Sequence, residues 1–295
     1  MSDSDATHAA GRGAITAART PRDGRWRADK LSTLSAAIGA CVTDGALLAL
    51  GGMALYRSPV AAAAEIIRQG ARNLTLLDYV AGFEGDILVG AGCVATTRSC
   101  YFGLDVVGLA PMYRTAVEQG RVNVIEETEV TVAYGLRAAR AGVDFLPART
   151  FSGTDMLSVR PDLALVASPY SDDLYVAIPA LAPDVAIVHA WCADRAGNAV
   201  LRSEYCLDVD LAAAARITIV TAERIVSSSE IEAYGADIIA AHVEHVVAAP
   251  RGAWPSSCHP DYRADLGLLM DYAEACREQG FDAFLCDFLQ RTTPG

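Results

Sequence analysis

The amino-acid sequence predicts an α/β fold, an open and mostly parallel sheet with helices on both faces. Short apolar runs of strand length alternate with segments of helical periodicity, which is the spacing of βαβ units. The clearest run, residues 46–50, is apolar throughout, as in a buried parallel strand. Hydrophobic residues make up 52% of the 295 positions, so a large core is expected.

The predicted elements follow one another at the spacing of such a sheet. An amphipathic helix is predicted at 30–42, where apolar residues recur at helical intervals. Further strands are predicted at 73–77, 93–101, 122–125, 176–180, 184–190, 199–201 and 217–221. Further helices are predicted at 60–69, 87–91, 111–119, 128–140 and 208–215, with a glycine-rich loop at 81–86. Residues 1–29 have no apolar period and are predicted to be a mobile leader before one domain, 30–291.

Composition and charge exclude several classes of function. The formal net charge of −12 argues against a nucleic-acid partner, because phosphate binding needs clustered lysine and arginine. No apolar run reaches the roughly 18 residues of a membrane helix, so no membrane partner is expected. The eight cysteines form no Cys-x-x-Cys pair, and no signal-peptide core precedes them. A reduced, cytoplasmic protein with buried thiols is therefore expected.

One stretch, residues 44–59 (DGALLALGGMALYRSP), organises the rest of the chain. Its strand ends in Gly51 and Gly52. Ser58 and Pro59 are then predicted to cap and open the next helix. Glycines let backbone approach a ligand, and a helix N-terminus favours an anion, so a ligand site at this strand end is one interpretation. A plain strand-loop-helix connection is the other, because a bare Gly-Gly pair is a weak signal.

The same stretch resembles the glycine motif near the start of family I CoA-transferases, most closely in the A (alpha) subunit of glutaconate-type enzymes. The following helix ends in RQG at 68–70, as in those subunits, while Met53 replaces their usual Phe. Three later stretches resemble the same subunits in the same order: ARAGVDFLP at 139–147, DVAIVHA to TIVT at 184–221, and VVAAPRGAWPSSC at 246–258. The resemblance covers residues 30–289.

This resemblance implies the fold of the CoA-transferase superfamily and the A subunit of a two-subunit CoA-transferase. It implies transfer of CoA between an acyl-CoA and a carboxylate, through a nucleophilic glutamate on a B-type partner subunit. The assembly is then a heterodimer or heterotetramer. Coenzyme A is a substrate, and no cofactor is expected. Within this chain only Glu84 directly precedes a glycine, and its early position argues against a role as nucleophile.

Three residues of the organising stretch are predicted to contact substrate or CoA. Gly51 and Gly52 are expected to offer backbone amides to a carboxylate or thioester oxygen. Arg57 is expected to pair with a substrate carboxylate or a CoA phosphate, although a surface or interface ion pair fits it equally well.

Two loops complete the predicted site. Asp105 lies where the resemblance leads us to expect a serine, and its charge would repel a dicarboxylate such as glutaconate. Ser152 and Gly153 belong to a polar loop that either lines the cleft or forms a surface turn.

The histidines and cysteines offer no strong metal or nucleophile motif. His242 and His245 are three positions apart, but a strand there would place them on opposite faces, so no metal site is expected. His189 and His259 are expected to be hydrogen-bonded structural residues, and Cys258 a buried thiol.

Two other functions remain open. Ring-opening hydrolases that act on cyclic β-keto-acyl-CoA in steroid-ring breakdown resemble the same A subunits, and the missing serine near Asp105 keeps that alternative. A non-catalytic effector-binding domain of the same fold is the other. Regulators of that kind carry an N-terminal helix-turn-helix, a pattern that residues 1–29 lack.

Overall fold

The computed structural model describes residues 29–202 and 206–292. The helices of this part are α1 (Leu34–Cys41), α2 (Val60–Gln69), α3 (Phe83–Gly90), α4 (Pro111–Glu118), α5 (Glu129–Ala141), α6 (Met156–Val159), α7 (Asp208–Ala214), α8 (Ser228–Tyr234), α9 (Leu266–Arg277) and α10 (Phe281–Arg291). The strands are β1 (Leu31–Ser32), β2 (Leu47–Leu50), β3 (Leu74–Asp78), β4 (Val80–Ala81), β5 (Val94–Ser99), β6 (Tyr101–Phe102), β7 (Asn123–Glu126), β8 (Phe145–Ala148), β9 (Ala164–Ala167), β10 (Leu174–Pro179), β11 (Val185–Ala190), β12 (Cys192–Asp194), β13 (Ala199–Val200), β14 (Ile217–Ala222), β15 (Ile225–Val226) and β16 (His245–Ala248).

An eight-stranded sheet in the order β1-β16-β14-β11-β2-β3-β5-β7 forms the centre of the fold. Every pairing between neighbouring strands is parallel, which confirms the predicted sheet. Along the chain, β2, β3, β5 and β7 follow one another towards one edge of the sheet, and β11, β14 and β16 then follow one another towards the other edge. The direction therefore reverses between the neighbouring strands β2 and β11. Ligands of open α/β sheets bind at the carboxyl ends of the strands beside such a reversal. The fold therefore places the end of β2 at a favourable position for a site.

Helices cover both faces of this sheet because side chains of the central strands alternate in direction. Leu48 and Leu50 of β2 point to one face, in a cluster that includes residues of α1, α2, α3, α9 and α10. Ala49 points to the other face, where it packs in a cluster with Leu136 of α5 and Leu211 of α7. Both faces of β2 are thus buried, as its continuous apolar sequence predicts.

Two local predictions are wrong. The segment predicted as one helix, 30–42, begins with β1, and α1 starts only after Thr33, whose side chain accepts the Ala36 amide. The segment predicted as a loop, 81–86, contains the start of α3 at Phe83, which places Glu84 within a helix.

The entry to α2 also differs from its prediction. The bounds of this helix, with Gly70 in the left-handed conformation at its end, agree with the sequence. The N-cap, however, is Pro59, without a side-chain hydrogen bond to the helix. The Ser58 hydroxyl instead donates to the Ala54 carbonyl at 2.9 Å, so it stabilises the preceding turn and not the helix.

The predicted leader, 1–29, lies outside the described residues except for Asp29. Within 29–202 and 206–292, no helix has the length and apolar character needed to cross a membrane. All eight cysteines are free thiols, and the buried ones are Cys41, Cys93, Cys192 and Cys258.

Candidate functional site

The turn after β2, residues 51–58, is called the glycine turn. It is held by hydrogen bonds from two backbone amides, and only glycine fits at both positions. The Gly51 amide donates to the Ile187 carbonyl of β11 at 2.9 Å, and the Gly52 amide donates to Asp208 Oδ1 at 2.8 Å. A Cβ on Gly51 would collide with that same Asp208 oxygen. Gly52 has a φ of +90°, and a Cβ there would lie 2.7 Å from the Tyr56 carbonyl oxygen. Both predicted amide donors are therefore engaged within the chain in this structure, and their contact with a substrate stays a prediction.

A buried ion pair fixes the other end of this turn. Arg57 Nη2 lies 2.8 Å from Asp208 Oδ2, and Arg57 Nη1 donates to the His189 carbonyl at 3.1 Å. Both side chains are only 1% exposed. Burial raises the pKa of Asp208, and Arg57 and the Gly52 amide oppose that rise. The ion pair is therefore buried and not at the surface, and Arg57 clamps the turn to α7 and β11. Contact of Arg57 with a substrate anion or a CoA phosphate stays a prediction.

Two further carboxyl groups are buried beside this pair. Asp78 ends β3 opposite Leu50, and Glu84 accepts the Gly82 amide at 2.9 Å from the first turn of α3. Burial raises the pKa of Asp78 well above its ordinary value of 3.8, and the charge of Glu84 adds to the rise. Burial raises the pKa of Glu84 as well. Neither carboxyl oxygen of Asp78 has a hydrogen-bond partner among the residues that the structure describes, so burial and the charge of Glu84 both favour the protonated form of Asp78.

A hydrogen-bonded chain surrounds His189 at the end of β11. His189 Nδ1 lies 2.9 Å from Thr221 Oγ1, and its Nε2 lies 2.8 Å from Glu223 Oε1. Glu223 also accepts the Tyr262 hydroxyl and, at 2.6 Å, the Arg251 amide. Burial alone would raise the pKa of Glu223, but these bonds lower it. His189 is thus hydrogen-bonded at both ring nitrogens, as predicted.

Cys258 lies beside this chain. Its sulfur, a His189 nitrogen and a Glu223 oxygen all lie within 4.8 Å of one another, a separation that a metal ion could bridge. Burial raises the pKa of the Cys258 thiol to about 12, so the thiol is neutral. Since Glu223 already accepts hydrogen bonds at both oxygens, the group is satisfied internally, and it forms a network rather than an open set of ligands.

Comparison with known proteins identifies the fold. The Coenzyme A transferase family model matches residues 31–249. The chain belongs to the coenzyme A transferase family. It is 34% identical to the A subunit of glutaconate CoA-transferase from Acidaminococcus fermentans, over 86% of each chain. The crystal structure of that glutaconate coenzyme A-transferase superposes with a TM-score of 0.82, over 88% of each chain at 33% identity.

Other relatives of this transferase chain have different named activities. It is 31% identical to the A subunit of 3-oxoadipate CoA-transferase from Pseudomonas knackmussii, over 89% of this chain and 94% of that protein. It is also 31% identical to the cholesterol ring-cleaving hydrolase IpdA subunit of Rhodococcus jostii, over 88% and 92%. It spans 48% of the length of a longer protein of Archaeoglobus fulgidus, at 37% identity. The chain is thus an A-type subunit of the family, and subunits of this type have a B-type partner.

The loop of Asp105 lies next to the turn of this CoA-transferase chain. The Ala54 amide donates to Val80 of β4 at 2.8 Å, and β4 pairs with β6, two residues before Leu104. Asp105 is exposed, with a φ of +53°. Its loop and the turn therefore lie at one edge, as the prediction requires, while contact of Asp105 with a substrate stays a prediction.

Ser152 and Gly153 lie in an exposed turn, 151–155, whose hydrogen bonds in the described chain are local, such as Thr154 to Phe151. Among the described residues, no hydrogen bond joins this turn to the glycine turn, and the lining of a cleft by Ser152 and Gly153 stays a prediction. Of the buried groups that organise the site, the sequence analysis missed Asp78. Its signal was present: an aspartate ends an apolar strand at the same sheet edge as Gly51.

The raised pKa of Asp78 makes a testable prediction about pH. A carboxyl group whose pKa is raised by folding contributes stability below its ordinary pKa, and that contribution is lost as pH rises through the raised value. As pH rises towards the raised pKa, the free energy of unfolding of the wild type is therefore expected to fall by up to about 1.4 kcal/mol per pH unit relative to that of Asp78→Asn. The asparagine side chain has no proton to lose. Urea unfolding from pH 5 to 9 measures the difference.

The matched control for that experiment is Asp271→Asn, which changes an exposed aspartate of α9. It should follow the wild-type pH dependence throughout. Identical pH dependence of Asp78→Asn and wild type would show that Asp78 is ionised in the folded chain.

Proposed function

We propose that this chain is the A subunit of an acyl-CoA:carboxylate CoA-transferase and completes a cleft with a B subunit that carries the nucleophilic glutamate. The observation that carries the proposal is the burial of the carboxyl groups at the turn. Asp78, Glu84 and Asp208 are at most 1% exposed, and Arg57 and backbone amides hold the last two of them. None of them can reach a thioester at the surface, which supports an attacking carboxylate supplied by the partner.

The exposed surface beside the turn supports a partner. Tyr101, Val106 and Leu109 flank Asp105 and are 43%, 75% and 66% exposed. Large apolar side chains exposed together are typical of interaction surfaces. A B subunit that covers them would bring its own residues to the edge where β2 and β11 end.

The reaction then proceeds by exchange of acyl groups. A carboxylate oxygen of the partner glutamate attacks the thioester carbonyl and expels CoA as a thiolate, which leaves a mixed anhydride. The thiolate attacks the glutamyl carbonyl of that anhydride, releases the acyl group as a carboxylate and leaves a glutamyl-CoA thioester. The acceptor carboxylate enters by the reverse sequence. The present chain contributes one wall of the cleft, built from the clamped turn and the Asp105 loop.

Covalent trapping tests this proposal. The chain is co-expressed with its B subunit, the complex is incubated with acyl-CoA and no acceptor, and borohydride or hydroxylamine is added. Intact-mass measurement of both chains is expected to show the trapped product on the partner alone. The isolated chain is expected to show no CoA transfer. Turnover by the isolated chain, or a trapped glutamate within it, would overturn the proposal.

A second function is a ring-opening hydrolysis of a cyclic β-keto-acyl-CoA. The observations that favour it are the 31% identity to the IpdA hydrolase chain and the anionic Asp105, which a dicarboxylate substrate would avoid. A hydrolase admits water to the bound acyl-CoA and needs no acceptor. Ring-opened product with no adduct on either chain would establish this function in place of transfer.

A further inference from the structure

Three arginines form a band outside the turn, at the carboxyl edge of the sheet. Arg202 follows β13, Arg224 follows β14 and Arg251 follows β16. β14 and β16 are parallel neighbours, so the last two arginines emerge at the same edge. All three residues are exposed. We call Arg202, Arg224 and Arg251 the arginine rim.

Aromatic rings hold the rim in place. The guanidinium carbons of Arg202 and Arg224 lie 4.3 and 4.2 Å from the centroid of one indole ring, that of Trp191. Trp191 is 5% exposed, and its Nε1 donates to Asp261 Oδ1 at 3.1 Å, which fixes the ring. Arg251 stacks in the same way, 5.3 Å from the ring centroid of Tyr262. Stacking uses the flat face of a guanidinium, so its in-plane N–H groups stay available to an anion.

The guanidinium groups of the rim form few ion pairs. Within the described part of the chain, the ion pair of Arg224 with Asp261, at 4.0 Å, is the only one that involves the rim. Glu223 accepts the backbone amide of Arg251 and the hydroxyl of Tyr262, and not a guanidinium group of the rim. The guanidinium groups of Arg202 and Arg251 are therefore not occupied by a carboxylate of the described residues.

The rim is joined to the turn by the segment after β16. The carbonyl of Gly252, next to Arg251, accepts the Ala61 amide of α2 at 2.9 Å. Farther along, the Ser257 carbonyl accepts the Arg57 amide at 2.8 Å. The rim thus lies outside the turn, but the segment after β16 contacts the turn and carries Arg251 of the rim. A ligand that contacts both would have its reacting group at the turn and its negative charge at the rim.

We propose that the arginine rim binds a phosphate group of coenzyme A. This inference rests on the proposed function, because it takes an acyl-CoA as the ligand. The pantetheine arm separates the phosphates of CoA from its thioester, so a phosphate bound at the rim leaves the thioester free to reach the turn. A single guanidinium fork satisfies a carboxylate, whereas a phosphate dianion presents oxygens to several guanidinium groups at once. The rim therefore fits a phosphate better than the carboxylate of the second substrate.

Kinetics of the complex with two substrates test the rim. Acyl-CoA carries the phosphates, and the corresponding acyl-pantetheine lacks them. In the complex of this chain with its B subunit, Arg202→Gln combined with Arg224→Gln is expected to raise KM for acyl-CoA about 10- to 100-fold, the loss of charge-assisted hydrogen bonds. The kcat value and the KM for acyl-pantetheine should stay as in wild type. Arg202→Lys with Arg224→Lys, which keeps both charges, should fall between the two.

The matched control is Arg216→Gln. Arg216 directly precedes β14, so it lies at the opposite end of the strand that Arg224 follows, and it is 59% exposed. Its removal also lowers the positive charge of the chain and should leave KM for acyl-CoA unchanged. If the control and the double glutamine variant raise KM alike, the effect is one of net charge and the rim is not a site.

Direct binding separates this inference from the proposed function. Calorimetric titration of the complex with 3′,5′-ADP, which carries phosphates and no acyl group, should show binding that the double glutamine variant weakens at least tenfold. That result supports the rim even if the complex catalyses no transfer. Transfer with an unchanged KM for acyl-CoA and unchanged binding of 3′,5′-ADP in the variant would overturn the rim and leave the proposed function standing.

Discussion

Arg57→Ala is expected to lower the free energy of unfolding by about 3–5 kcal/mol, because it leaves Asp208 as an uncompensated buried charge. Asp208 is fully buried, and its other bond is to the Gly52 amide. Without Arg57, the aspartate must either take up a proton or draw in water, and either change weakens its hold on the turn. Urea unfolding of the isolated chain near pH 7 measures the loss.

The same helix offers a matched control. Arg137 pairs with Asp210 of α7 at 3.0 Å, two residues after Asp208, but Arg137 is 52% exposed. Arg137→Ala should therefore cost at most about 1 kcal/mol, as exposed ion pairs do. The double change Arg57→Met with Asp208→Asn should recover part of the loss, since no buried charge is left without a partner.

This experiment also decides between two roles for Arg57. If Arg57→Ala unfolds like wild type and instead raises KM for an anionic substrate in the complex, the guanidinium contacts substrate, as the sequence alone suggests. The structural interpretation requires the reverse, a large loss of stability. A loss of activity without a loss of stability would therefore contradict the clamp.

The sequence predicts the scaffold well because its signals are local. The continuous apolar run of β2 and the bounds of α2, which ends at Gln69 before Gly70, each appear in the structure as expected. These features depend on the side chains within a few residues of one another. A mostly parallel sheet then follows from the alternation of such units, whereas the number of strands and their order come from the structure.

The site is harder to predict because its contacts are distant along the chain. Arg57 and Asp208 are 151 positions apart, and nothing near Arg57 shows that its partner is buried beneath it. Asp105 and Ser152 look alike as polar loop residues, yet only the Asp105 loop is bonded through β4 to the turn. Local propensity also fails at Ser58. Its side chain was expected to accept a helix amide, but the hydroxyl donates to the Ala54 carbonyl instead.

Gly52→Ala is expected to destabilise the chain by about 2–5 kcal/mol, the sum of left-handed strain and steric overlap. The added Cβ would lie 2.7 Å from the Tyr56 carbonyl oxygen and 2.8 Å from the Ser58 nitrogen. Both are backbone atoms, and the Tyr56 carbonyl accepts the Met53 amide at 2.9 Å, so neither can move without opening the turn. In the complex with the B subunit, we expect a loss of CoA transfer of at least tenfold.

Gly45→Ala separates the two causes of that loss. Gly45 also has a positive φ, +79°, but a Cβ there meets no atom within 4 Å. Its change to alanine therefore costs only the backbone strain, about 1–2 kcal/mol, and should leave transfer intact. The loss of stability in Gly52→Ala should exceed that in Gly45→Ala. The difference measures the steric overlap of the added Cβ with the backbone of the turn. Equal losses of stability in the two variants, with transfer retained in both, would mean that the turn yields to a Cβ and does not hold the wall of the cleft in place.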